Sequence, residues 1–302
     1  MVTDSTPKRH CIVTVTTPDF VVGTLVMLDS FFQHNRWFDG DVVVIHNKLP
    51  AQQQSQLQCR FPAIQFLQIS AEMEGALEQL VLFRPNLNNR KTRFYALEAI
   101  RLNDYRRLLF CDSDLLFRGS IEPLFQNRQP LICCGDGIYY WGGGRERESF
   151  AQRRQVDCSN PNILCKTFNS GLLLYEHSLL GPHHYSKLMA QLDPERWGKI
   201  TAPHTDQIVL NRFYAGQQYL AGAEYNYLLG HRPLIFEKCG LTIDAAKVLH
   251  FNGRAKPWLT ERVLQQTQQD PAYIKAVKYW YNAYIACLQR LHLATVYSPN
   301  QA

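Results

Sequence analysis

The sequence predicts an α/β fold: a doubly wound, mostly parallel central sheet flanked by helices. Two β-branched runs, "HCIVTVTT" (10–17) and "DVVVIHN" (41–47), are apolar without alternation, as strands buried on both faces are. Between them "GTLVMLDSFFQH" has helical spacing, so the three segments form a strand, helix, strand unit. The same alternation continues downstream, and in open sheets of this kind ligands sit beyond the carboxyl ends of the strands.

The further elements follow in order. "AIQFLQI" (63–69) reads as the third strand and "KTRFYALEAIRL" (91–102) as a helix. "RLLFCDSD" (107–114) and "PLICCGD" (130–136) read as the fourth and fifth strands. Residues 141–166 lack a period and mix glycines with charges, which marks a long loop of functional type. "FNSGLLLYEHS" (168–178) restores strand character, and "DQIVLNRFY" (206–214) opens a helix. From Thr260 the chain turns helical, with Val277, Tyr281, Tyr284, Leu288 and Leu291 three or four apart.

Composition narrows the function. A 302-residue chain with 46% hydrophobic residues can bury a large core. The 32 basic residues against 26 acidic give a net charge of +6, but they are dispersed, which argues against nucleic acid as a partner. No apolar run approaches the ~20 residues of a membrane helix. "MVTDSTPKRHCIVTV" lacks the ordered regions of a signal peptide, so the expected address is cytoplasmic. Nine cysteines without a CxxC indicate neither a disulfide framework nor a zinc knuckle.

One short stretch stands out. In "RLLFCDSDLLF" two carboxylates, Asp112 and Asp114, end an apolar strand at the ligand-binding edge of the sheet. A buried, unpaired carboxylate costs several kcal/mol, so a cation is expected beside them. Arg106, Arg107 and Arg118 are near only in flanking positions. Oxygen ligands of this kind suit Mg²⁺ or Mn²⁺ bridging to phosphate.

"FCDSDLLFRGSIEPLF" resembles the DxD segment of glycosyltransferase family 8, of the glycogenin-like type, and four more segments agree in order. They are "TVTTPDFVVGTLVMLDSF", "FNSGLLLY", "DQIVLN" and the H-x-x-G-x-x-K-P-W segment "LHFNGRAKPW", together spanning about residues 11–258. The resemblance implies a GT-A catalytic domain over 10–258, with 259–302 as a helical extension packed on it. It implies a retaining transferase that moves a hexose from a UDP-sugar, with Mn²⁺, or Mg²⁺ in its place, held by Asp112, Asp114 and His250. Lys256 and Gly253 would face the diphosphate, where charge gathers on the leaving group. Ser113 would lie with the donor, and Thr16 and Phe20 against the nucleoside, Phe20 replacing a usual tyrosine. Arg84 and Arg93 match donor-side basic positions. Asn169 and Ser170 would line the sugar, with Asp206 and Gln207 beneath its anomeric carbon. Retention requires a covalent glycosyl intermediate or a front-face reaction. Asp206 is accordingly assigned to sugar binding and ion-pair stabilisation. Thr205 and Asp206 are also good helix-start residues, and the two roles are compatible.

Two departures bear on substrates. "YNYLLGHRPLIFEKCGLTIDAAKVLH" has no tyrosine after Tyr227, so the self-modified position of glycogenin-like chains is lacking, and a separate saccharide, lipid-linked or small-molecule acceptor is expected. Pro203 replaces an acidic residue that precedes the "DQ" pair, which leaves the donor sugar open. Tyr139, Tyr140 and Trp141 could stack on a sugar or pack as a cluster. Arg145, Arg147, Arg153 and Arg154 could meet an anionic acceptor or stay solvated. The C-terminal helix either packs on the catalytic domain or on a second copy in a homodimer, or it lies on a membrane surface as a peripheral contact. A rival to the enzyme is an idle sugar-nucleotide or glycan-binding module of the same fold.

Overall fold

The computed structural model describes residues 8–141, 166–197 and 205–297. A seven-stranded sheet has the order β3-β2-β1-β4-β7-β6-β8. Its strands are β1 Lys8–Val15, β2 Asp41–His46, β3 Gln65–Gln68, β4 Tyr105–Cys111, β6 Leu131–Gly135, β7 Phe168–Glu176 and β8 Gln218–Ala221. The pairs β1–β2, β1–β4, β2–β3 and β6–β8 are parallel. β7 alone runs against its neighbours β4 and β6. The sheet is thus mostly parallel, as its apolar runs predict.

Both faces of the sheet are covered, and alternate residues of one strand enter different cores. Cys11, Val13, Leu108, Phe110 and Leu173 pack with the helices Ala71–Phe83, Pro182–Met189 and Asp206–Phe213. Ile12, Leu109, Cys111, Leu172 and Leu174 pack on the other face with the helices Val21–His34 and Ala51–Arg60. Complete burial of such side chains, at about 25 cal/mol per Å² of apolar area, is the main drive for this layering. The helix read over 91–102 begins earlier, at Pro85, and is wound as 3₁₀ turns to Arg101. Its residues Phe94 to Ile100 are all buried, so the segment lies within the core rather than on it.

The fourth predicted strand, read over 107–114, is shorter at its carboxyl end. β4 stops at Cys111, and after a turn the chain re-enters a second sheet of three strands, ordered β5-β10-β9. These are β5 Leu115–Phe117, β9 Tyr227–Leu228 and β10 Val248–His250. Strands of two or three residues carry no periodic signal, and the sequence reading misses all three.

The C-terminal helices Thr260–Gln269 and Tyr273–Tyr297 pack on this second sheet. The inward face of the long helix is Tyr273, Ala276, Val277, Trp280 and Cys287. Tyr281 and Leu288, counted in sequence with Val277, are exposed. Arg290 also ties this helix to Asp29, a buried carboxylate on helix Val21–His34 that pairs with Arg60 as well.

Candidate active site

The turn that joins the two sheets carries Asp112, Ser113 and Asp114. Its backbone is fixed by Asp112 N–H donating to Gly171 O (2.8 Å) and Phe251 N–H donating to Asp114 O (3.1 Å). Ser113 points inward, its hydroxyl donating to Val15 O (2.6 Å) beside the hydroxyls of Thr24 (2.8 Å) and Thr14 (3.1 Å). The serine therefore anchors the turn to β1, and its side chain is placed away from the carboxylates.

His250 reaches the turn because β10 pairs antiparallel with β5, in a register that sets His250 opposite Leu115. Its Nε2 lies 3.3 Å from Asp114 Oδ1 and 3.6 Å from Asp112 Oδ2. One ligand atom from each of the three residues lies within 4.8 Å of the others. Two observations bear on whether a cation fits. Asp114 Oδ1 is buried without a hydrogen-bond partner, an arrangement that is costly unless a positive charge takes it up. Gly171 lines the same space, and a Cβ there would stand 2.4 Å from His250 Cε1 and 2.7 Å from Asp112 Oδ2. The residues present suit a divalent cation with mixed oxygen and imidazole ligation.

Lys256 completes the charge balance. Its ammonium donates to Asp114 Oδ2 and to Phe251 O (2.8 Å for the latter), although Lys256 and Asp114 are 142 residues apart. Burial works against the Asp114 charge, but Lys256 and His250 together outweigh it and hold the carboxyl well below the usual carboxylate range. Asp112 moves the other way: desolvation, then the negative charge of Asp114, raise it to about 7. Its side chain keeps 42% of its surface exposed, so solvent tempers that rise without reversing it.

Beside the carboxylates lies a polar shelf. Asn211 clamps helix Asp206–Phe213 to β7 by bonding both the N–H (2.9 Å) and the C=O (2.8 Å) of Phe168. The clamp sets Gln207 against Asn169, whose Nδ2 donates to Gln207 Oε1 (3.1 Å). Gln207 Nε2 donates in turn to Asp136 Oδ2 (3.1 Å). Asp206 is buried at the helix start and accepts from the Thr205 hydroxyl (2.8 Å). Thr205 occupies the N-cap position without a side-chain capping bond. The negative charge of Asp206 also contributes to the rise at Asp112.

The model of the family described as "Glycosyl transferase family 8" matches residues 11–262. The chain belongs to glycosyltransferase family 8. Lipopolysaccharide glucosyltransferase WaaO of Escherichia coli K12 is 27% identical over 164 residues, 52% of this chain and 45% of that enzyme. An uncharacterized protein, R707 of Acanthamoeba polyphaga mimivirus, is 25% identical over 63% of this chain and 65% of its own length. The chain thus matches less than two thirds of the length of either relative. In fold it resembles the galactosyltransferase LgtC in complex with donor and acceptor sugar analogs, with a TM-score of 0.68 and 17% identity over 91% of this chain and 95% of that one. GlyE of Streptococcus pneumoniae has a TM-score of 0.59 at 15% identity, over 98% of this chain and 66% of GlyE. These likenesses show a GT-A-type glycosyltransferase fold.

The remaining residues predicted for this family 8 chain are spread along the cleft and beyond. Thr16 is buried, its hydroxyl against that of Thr24. Phe20 meets Trp258 edge-on at 5.4 Å and lies 5.8 Å from Lys256 Nζ, so the "KPW" segment folds over the end of β1. Gly253, in the loop that delivers Lys256, has φ +103°, a conformation that requires glycine. Ser170 is buried on β7. Arg84 donates to Trp197 O (2.8 Å) at the end of helix Ala71–Phe83, and Arg93 is exposed on the 3₁₀ segment. Tyr139 and Tyr140 pack edge-on at 5.1 Å, with Tyr140 buried. Arg145, Arg147, Arg153, Arg154 and Pro203 lie outside the described residues.

Sequence reasoning misses two residues that the fold brings into the site, Asp136 and Asn226. Asp136 follows β6 directly, and the rule that draws attention to Asp112, a carboxylate at a strand's carboxyl end, applies to it equally. Asn226 sits before a two-residue strand, where no local pattern marks it.

Proposed function

We propose that this chain is a retaining, Mn²⁺-dependent hexosyltransferase that moves glucose or galactose from a UDP-sugar to a hydroxyl of a separate saccharide, lipid-linked or small-molecule acceptor in the cytoplasm, with Mg²⁺ able to replace Mn²⁺. The observation that carries it is the convergence of Asp112, Asp114 and His250 around a partnerless carboxylate oxygen, with Lys256 alongside. In this reading those three side chains hold the metal. A divalent cation held there would supply positive charge to the departing diphosphate. The Lys256 ammonium stabilises the same leaving group from the protein side, and Gly253 lets the backbone approach. Thr16, Phe20, Ser113, Arg84 and Arg93 belong to the donor side, and Asn169 and Ser170 to the sugar.

Asp206 and Gln207 serve the reacting carbon. Asp206 offers a carboxylate to the sugar and to positive charge that develops on it. Gln207 Oε1 accepts one hydrogen bond from Asn169 and keeps a second lone pair for the cleft. The names of WaaO and LgtC, a glucosyltransferase and a galactosyltransferase, support a hexose donor. The catalytic unit spans 10–258, with 259–302 as its packed helical extension.

The test is UDP release from a panel of UDP-sugars with Mn²⁺, with and without EDTA. One UDP-hexose should be hydrolysed slowly without acceptor, and both EDTA and Asp114→Ala should abolish this. If no UDP-sugar is bound or cleaved and Asp114→Ala behaves as wild type, the chain is not such an enzyme.

A further inference from the structure

A run of side-chain hydrogen bonds leads from His250 to Asp136, and it has a direction. Asp136 Oδ1 accepts from Ile138 N–H (3.0 Å), Tyr139 N–H (3.0 Å) and the Thr167 hydroxyl (2.7 Å), and Oδ2 accepts from Gln207. A carboxylate accepts and does not donate, so Gln207 must turn its NH₂ toward Asp136 and its Oε1 toward Asn169. Asn169 must then give its NH₂ to Gln207 and keep Oδ1 on the other side. There it accepts from Gly171 N–H (3.0 Å), a group that can only donate, and from Asn226 Nδ2 (2.9 Å). Asn226 has consequently one orientation left, with Oδ1 facing His250 Nδ1 at 2.9 Å.

The orientation of every amide is thereby determined from the Asp136 end, and that of Asn169 by the Gly171 N–H as well. Flipping any one of them would set donor against donor and acceptor against acceptor. Asn226 is 0% exposed, so water cannot relieve such a clash. Facing an oxygen that can only accept, His250 Nδ1 must carry the ring hydrogen. In the neutral ring Nε2 is then the bare nitrogen, and it is the one turned toward Asp112 and Asp114.

We propose that Asn226 is a positioning residue that fixes His250 as the Nδ1–H tautomer, and that Asn169, Gln207 and Asp136 fix Asn226 in turn. The metal ligand and the residue beneath the sugar are thus oriented by one hydrogen-bonded chain. This rests on the metal reading above, and the experiment separates the two.

The tautomer is read without metal, from the ring ¹⁵N shifts of histidine-labelled protein in EDTA, with His250→Gln to assign the signal among ten histidines. Wild type should show Nδ1 protonated, the one nitrogen that faces Asn226. Asn226→Leu should lose that signature and weaken Mn²⁺ binding, measured calorimetrically with Mn²⁺ alone, about 10–100-fold. Asn226→Asp keeps an acceptor against Nδ1 while giving up the donor to Asn169 Oδ1, so it should retain the Nδ1–H signature and bind Mn²⁺ at least about tenfold tighter than Asn226→Leu. An unprotonated Nδ1 in wild type overturns the proposal, as does an Asn226→Leu protein unchanged in both Nδ1 signature and affinity. Should Asn226→Leu not fold, the wild-type and Asn226→Asp spectra decide. If Asp114→Ala binds Mn²⁺ as wild type does, the metal reading fails while the tautomer result stands.

Discussion

Leu115 and His250 are partners across the antiparallel pair of β5 and β10, and this pairing carries the imidazole to within 3.3 Å of Asp114. The site is thus built where two sheets meet, one supplying the carboxylates at the end of β4 and the other returning the histidine. Its geometry leads to four predictions.

Gly171→Ala should empty the cation site without unfolding the chain. The added methyl would intrude between His250 and Asp112. Mn²⁺ affinity should fall at least about tenfold, since displaced ligand-supporting groups cost 10–100-fold. Calorimetry with Mn²⁺ measures the loss, and an unchanged far-ultraviolet circular dichroism spectrum confirms the fold.

Lys256→Met should slow turnover by about 10²–10³ at saturating donor, the usual effect of removing one group that stabilises leaving-group charge. It also strips the buried Asp114 of its ammonium partner, which should cost on the order of 3 kcal/mol without metal. Urea unfolding in EDTA and then in Mn²⁺ checks this, with Mn²⁺ recovering part of the loss.

The two aspartates should give stability opposite pH dependences in separate windows. The Asp112 carboxyl, raised to about 7 from 3.8, holds its proton more tightly folded than unfolded. Between those values the folded chain binds more protons, so its stability in EDTA should decline as pH rises from 4 to 7. Asp114 is depressed below 3.8, so its contribution is present above that value and is lost only as pH falls through its folded value. Urea midpoints from pH 4 to 8 should show a decline that Asp112→Asn flattens.

Asp29→Ala should loosen the C-terminal helix. The Asp29 side chain is 1% exposed and holds Arg60 from one helix and Arg290 from another. Removing it leaves two guanidiniums without their shared partner, at a cost of about 3 kcal/mol. Hydrogen exchange should quicken along Tyr273–Tyr297 more than in β1 or β4, and turnover at low temperature should change less than stability.

Much of the sheet was legible because burial on both faces leaves a mark on the chain. "HCIVTVTT", "DVVVIHN" and "FNSGLLLYE" carry β-branched or leucine-rich runs, and each holds a strand. Helix Ala51–Arg60 was not legible, since it buries little besides Leu57 and its glutamines show no apolar stripe. The spacing along the last helix leaves its inward face open for a related reason. Three- and four-residue spacing is satisfied by several stripes, and only the partner surface selects Trp280 over Tyr281.

The same division runs through the site. A carboxylate pair at the end of an apolar strand is a local fact, and the linear chain suffices to raise the expectation of a cation beside it, because a buried charge without a partner is costly. Which groups surround that cation is a matter of distance in space. His250, Lys256, Asn226 and Asp136 lie on separate elements, and strands as short as β5, β9 and β10 bring them together through backbone pairing that no side-chain pattern announces. Hydrogen bonds between amides then settle their orientation, since a donor and an acceptor acquire a direction only once the fixed acceptor at the end of the chain of contacts is in place.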